Sequence, residues 1–158
     1  MSSNKPVSFF ERGGVWVIAQ FILMPACFVC TPLGNTSTAS MPVRIAAWGL
    51  IVSGAVAGIT GVWALKKNRT PFPKPLPGMK LVRHGVYRVI RHPLYASLIF
   101  LAFGWACLWI SPWGFVLAAA QAALLEAKAG REERWLKEKF PEYSAYAAQV
   151  KRFIPFVY

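Results

Sequence analysis

Negative charge is almost missing from this chain. It has no aspartate and six glutamates, against 18 lysines and arginines, for a formal net charge of +12. Histidine is as scarce, with two, and cysteine numbers three. The odd cysteine count and the lack of zinc-finger spacing leave no disulfide framework and no structural metal site to read. Cys27 and Cys30 form a C-x-x-C, but inside an uncharged apolar run, where two small buried residues are the expected reading. No basic-aromatic RNA-binding pattern occurs, nor a glycine-rich dinucleotide fingerprint, an internal repeat or a low-complexity tract.

What the chain does have is apolar residues, 56% of the total, above the roughly 45–50% of a soluble domain. They come in blocks. A strongly positive balance suits nucleic acid or an anionic lipid surface; the apolar blocks select lipid. Residues 15–33, 43–65, 93–111 and 112–126 read as four transmembrane helices. The first is too long for a secretory signal and shows no small-residue cleavage site; Pro25 predicts a kink in it. The uncharged loop 34–41 contains Asn35-Thr36-Ser37, a glycosylation acceptor pattern. In the second run, Gly54 and Gly58, with Ala57 and Gly61, set small residues at helical spacing, which lets a second helix approach closely in lipid. An intramolecular packing face is favoured over a dimer face, and the oligomeric state stays open between monomer and homodimer.

The segment 66–92 is a basic loop in which Pro71, Pro73, Pro75 and Pro77 exclude a regular helix. An extended, partly stiff segment along the membrane surface is expected. After Leu125 the fourth helical pattern turns charged and runs on past Gly130 towards Pro141, predicting one long helix that leaves the membrane near Glu126. Glu133 and Lys137 would form an i, i+4 pair on its exposed part. The tail 127–158 carries tyrosines and an apolar end that would return to the membrane face. Fifteen of the 18 lysines and arginines fall in 66–93 or after residue 126, so both regions, and both termini, are placed in the cytosol. The fold class is therefore all-α: one polytopic membrane domain over 1–158, with four spans and a helical cytosolic C-terminal extension. A bacterial inner membrane, or the endoplasmic reticulum of a eukaryote, would house it.

Both histidines lie between residues 79 and 95. A residue before proline is pushed out of the α region, and proline suits the first helical position. His92 therefore reads as the cap of a helix beginning at Pro93. The N–H groups of Leu94 and Tyr95 would then lack intrahelical partners and could receive a carboxylate or phosphate. The plain alternative is a basic loop entering a membrane helix. Five of the six glutamates lie from Glu126 onward. Lys128 and Glu132 share one helix face beside Trp135; from spacing alone a solvated ion pair is the expected reading.

Gly85-Val86-Tyr87 followed by Arg91-His92-Pro93-Leu94-Tyr95 resembles the G-[VP]-Y-x-x-x-R-H-P-x-Y signature of the isoprenylcysteine carboxyl methyltransferase and phospholipid methyltransferase superfamily. Glu132, Glu133, Leu136, Phe140, Tyr143, Tyr146, Arg152 and Pro155 resemble its second signature, in the right order. The resemblance covers roughly Thr70 to Tyr158. It implies S-adenosyl-L-methionine as methyl donor, with contacts near Met79 to Val82, hence Leu81 and Val82, then at Tyr87, at His92, Pro93, Leu94 and Tyr95, and at Glu132. It implies catalytic roles for Lys128 and Glu132, an acceptor site including Lys128 and Arg131, and no metal. Lys128 stands where the family often has an arginine, a point charge in place of a bidentate fork, and this bears on substrate recognition.

The expected activity is methyl transfer to a lipophilic or amphiphilic acceptor, a carboxylate or an amine, at the membrane–cytosol interface. Direct displacement needs alignment and a dry site rather than a metal. A carboxylate acceptor needs no general base; for an amine or thiol, His84 and Glu133 are the nearest candidates, though a surface loop histidine is the expected reading of His84. Arg91 reads as structural, tying the loop to phosphates or helix ends. The partners expected are the acceptor and membrane lipids, with no nucleic acid. Two other readings compete: an NADPH-dependent sterol-type reductase of related fold, and a non-enzymatic protein that holds anionic lipid headgroups.

Overall fold

The computed structural model of the chain describes residues 8–33 and 38–158. The Asn35-Thr36-Ser37 pattern and the first seven residues of the polar N-terminal segment lie outside them. Five α-helices follow in order: α1 (Gly14–Cys30), α2 (Met41–Leu65), α3 (Pro93–Trp109), α4 (Pro112–Lys139) and α5 (Tyr143–Gln149). Among the described residues there is no β-strand, only one isolated parallel bridge between Ile90 and Lys151. Helices α2, α3 and α4 each carry proline in the first two positions, where its missing N–H leaves no bond unmade. The Ser111 hydroxyl caps α4 by accepting from Gly114 N–H at 3.1 Å.

The boundaries agree closely with the sequence pattern. His92 is the cap of α3, α1 runs unbroken through Pro25, and α4 is one helix of 28 residues through Gly130. The four-span expectation is met only in part. Helix α2, with the short 3-10 turn to Asn68, is long and apolar enough to cross a membrane. Helices α1 and α3 are apolar but have 17 residues each, about 25 Å at 1.5 Å per residue, short of the roughly 30 Å of hydrocarbon. Of the C-x-x-C pair, Cys27 is buried as expected but Cys30 is exposed.

Helix α2 packs along α3, α3 against α4, and α1 against α4. The small residues of α2 make the first of these contacts. A Cβ on Gly54 would stand 3.0 Å from the Ser97 carbonyl, and one on Gly61 would stand 3.1 Å from Pro93 and Leu94. From the other side, a Cβ on Gly104 would meet the Ala47 carbonyl oxygen at 2.9 Å. The close-packing face is thus intramolecular. Opposite signs are expected for two alanine substitutions. Gly104→Ala forces two backbones apart and should destabilise by about 1–3 kcal/mol. Gly49→Ala, whose Cβ meets nothing within 4 Å, should stabilise by about 0.5–1 kcal/mol through helix propensity. Thermal unfolding in detergent measures both; equal shifts would mean that α3 does not lean on α2 there.

Candidate active site

The C-terminal tail brings the two signature regions together. Arg91 N–H donates to the Lys151 carbonyl at 2.8 Å and His92 N–H to the Arg152 carbonyl at 3.1 Å. Phe153 is buried just beyond, against Ile90, Ala96 and Ala129. The tail therefore runs across the start of α3 and holds it against α4.

Glu133 is the centre of this junction. Its carboxylate accepts from Arg91 Nε at 3.0 Å and from Arg152 Nη2 at 2.7 Å, and lies 3.0 Å from His92 Nε2. The expected Glu133–Lys137 pair does not form: Glu133 is buried, and Arg91, Arg152 and the His92 ring, from other segments, outcompete a neighbour on the helix surface. Burial alone would raise its pKa, but the hydrogen bonds from His92 and Arg152 and the charges of His92 and Arg91 outweigh it and hold the carboxyl well below its ordinary value. Arg91 also donates to the carbonyls of Ala147 and Val150, so it does tie the loop to a helix end, that of α5.

Beside this junction lies a cleft of about 720 Å³, its open mouth included, and Leu81, Val82, Tyr87, His92, Leu94, Tyr95 and Glu132 line it. Tyr95 Oη donates to Glu132 Oε2 at 2.7 Å, the His92 ring stacks on Tyr95 at 5.3 Å, and His92 Nδ1 lies 3.8 Å from Glu132 Oε2. One helix start and one acidic side chain thus face a common space. Of the residues assigned to this space from sequence, Pro93 is fully buried behind it. Among the described residues, the helix start also offers one free amide rather than two. Tyr95 N–H already bonds the His92 carbonyl at 3.1 Å, which leaves Leu94 N–H.

Two residues depart from their expected places, and a third, His84, is the surface loop histidine expected of it. Lys128 is 1% exposed, so it is no solvated partner of Glu132. Its Nζ donates to Gln20 Oε1 on α1 and lies 5.3 Å from the Tyr95 ring centre, behind the cleft wall. Burial lowers its pKa to about 8, with Glu132 opposing. Arg131 is exposed and sits over the Trp135 ring at 5.0 Å, outside the cleft. His84 is exposed on the loop and does not line the cleft either.

The sequence reading missed the other wall. Asn68, Thr70, Phe72, Pro73 and Pro75 line the cleft, and Asn68 Nδ2 donates to the Lys80 carbonyl at 3.1 Å, closing the loop on itself. Alternating prolines stiffen a segment; that stiffness was the available signal for a wall rather than a surface loop. Leu136, Tyr143 and Tyr146, matched to the second signature without assigned roles, also face it. Burial raises the Tyr146 phenol to about 12 and, with nearby carboxylate charge, lifts Tyr87 and Tyr143 higher still. These phenols remain neutral at physiological pH.

The profile of the phospholipid methyltransferase family matches residues 43–143, which include all but the first two residues of α2, the proline loop, α3, α4 and the first residue of α5. The cobalt-zinc-cadmium resistance protein CzcN of Cupriavidus metallidurans is 28% identical over 152 residues, covering 92% of this chain and 64% of that protein. The chain thus spans just under two thirds of the length of this curated relative.

Proposed function

This chain belongs to the phospholipid methyltransferase family, and on that premise we propose that it transfers a methyl group from S-adenosyl-L-methionine to a lipophilic or amphiphilic acceptor at the membrane–cytosol interface. The observation that carries this reading is the single cleft shared by the start of α3 and Glu132. Bound there, the donor would supply an electrophilic methyl group on a sulfonium. The residues present fit its three kinds of surface. Leu94 N–H, at the positive end of α3, suits a carboxylate. Glu132 and the faces of Tyr87 and Tyr95 suit ammonium and sulfonium cations. Leu81, Val82 and Leu136 give apolar walls that exclude water from the reacting atoms.

The acceptor is best read as an acid. Glu133 is occupied by Arg91, Arg152 and the His92 ring, His84 stands away from the cleft, and the phenols stay neutral. Glu132, the carboxylate that lines the cleft, is turned to the Tyr95 hydroxyl, and a carboxylate acceptor requires no base. Lys128 supports the same reading. Its buried ammonium has one neutral amide as its hydrogen-bond partner and no carboxylate within ion-pair distance among the described residues. An acceptor anion would complete it.

The membrane setting rests on α2 and its neighbours. Ile45, Trp48, Val52, Val56, Ile59 and Trp63 form an exposed apolar stripe along α2, larger than a soluble surface tolerates. We read α1, α2, α3 and the apolar first half of α4 as four spans, the two short helices being accommodated by local thinning of the bilayer. The basic loop and tail then face the cytosol. The test is a lipid extract incubated with the purified protein and labelled donor. A lipid-soluble species is expected to gain label, and S-adenosylhomocysteine is expected to bind in calorimetry. Binding of NADPH instead would turn the reading to a reductase; binding of neither would leave a holder of lipid headgroups.

A further inference from the structure

A second concavity lies on the opposite side of Lys128 from the cleft. It runs between α1 and α4, about 1290 Å³ with its open side included. Its floor on α4 is Ala123, Ala127 and Gly130; Trp16 and Trp135 wall it; Arg131 and Arg134 stand at one end. Small residues explain the space: a Cβ on Gly130 would meet nothing within 4 Å. Polarity changes along its length. The end at Ala123 is apolar and belongs to the proposed span, while the end at Arg131 and Arg134 is cationic and belongs to the extension.

Two acids also reach the groove. Glu11 accepts locally from Ser8 N–H at 2.7 Å; Glu126 accepts from Arg152 and Tyr158 through Oε1, and its Oε2 is buried without a partner among the described residues. Neither arginine at the cationic end has a carboxylate partner among the described residues. Gln20 lies one turn on from Trp16 in α1, Lys128 follows Ala127 in α4, and their hydrogen bond joins the two helices near the groove.

We infer that this α1–α4 groove seats an amphiphile with an anionic headgroup drawn from the bilayer, its chain on Ala123, Ala127 and Trp16 and its head on Arg131 and Arg134. Charge and shape together select this occupant. A chain needs an apolar track open to lipid, and an anion needs unpaired guanidinium groups, which bind phosphate or carboxylate through paired N–H donors. Aromatic walls at the boundary suit the interface depth of such a headgroup. The inference rests on the methyl-transfer reading only for its consequence, that the acceptor approaches Lys128 from this side. What the groove binds stands independently.

The test uses the full chain in lipid nanodiscs that carry either phosphatidylglycerol or phosphatidylcholine with a photoreactive group on the acyl chain. Crosslinks are mapped by mass spectrometry. The glycerol lipid is expected to label the peptides around Trp16 and Ala127 about tenfold more than the choline lipid. That preference should vanish in the double variant Arg131→Ala, Arg134→Ala. Gly130→Leu, which fills the groove without a clash at Cβ, should remove the labelling by both lipids. Equal labelling by the two lipids in the unmodified protein, or labelling that survives Gly130→Leu, overturns the inference. S-adenosylhomocysteine affinity is measured on the same samples. If that ligand fails to bind while the labelling behaves as expected, the donor assignment falls and the groove assignment stands.

Discussion

Glu133→Gln is expected to destabilise the folded chain by about 3–5 kcal/mol, the range for removing one partner of a buried ion pair. Two arginines and a histidine from two segments converge on this carboxylate: Arg91 and His92 from the loop end and cap of α3, and Arg152 from the tail. A neutral amide leaves them facing one another across a desolvated space. The effect should be seen as a lower midpoint in thermal unfolding in detergent. It should also appear in the pH profile, with a definite sign. A carboxyl whose folded pKa lies below its unfolded value of about 4.3 stabilises the fold fully above that value and loses the contribution as pH falls through the folded pKa. Wild-type stability should therefore drop on acidification below about pH 4.3, and the Gln variant should lack this part of the drop. Two superimposable profiles would show that Glu133 does not hold the junction together.

Glu132→Gln should behave in the opposite way, weakening ligand binding with little loss of stability. Its side chain is partly open to the cleft, and Gln can still accept the Tyr95 hydroxyl bond seen at 2.7 Å. What is lost is the negative charge facing the proposed donor cations. A hydrogen bond to a charged group contributes about 1.5–3 kcal/mol, so S-adenosylhomocysteine should bind about 10- to 100-fold more weakly. Methylation under limiting donor should fall at least as far. Calorimetry on variant and parent checks it; unchanged affinity would remove Glu132 from the donor site and with it the main support for the cleft assignment.

Glu132 and Glu133 show where sequence reasoning stops. They are neighbours in the chain, yet about 100° apart around a helix. One faces the cleft and the other is buried in ion pairs. The spacing of Lys128 and Glu132 correctly places them on one helix face, but it cannot show that α1 covers that face and sends Gln20 to the lysine. The proline loop is legible as non-helical; that it forms one wall of the cleft depends on where α2 ends and on Asn68 reaching Lys80.

Four features could be determined from the sequence by itself: the all-helical class, the starts of α3 and α4 at their prolines, the cap at His92, and the unbroken run of α4 into its charged half. These are local, because missing amides, restricted dihedrals and residue periodicity act within a few positions of the chain. The tertiary structure alone decided the partner of Glu133, the burial of Lys128, the one amide left at the start of α3 and the groove between α1 and α4. Each depends on segments distant in the chain meeting in space, and the energy of a charge there is set by what else arrives beside it.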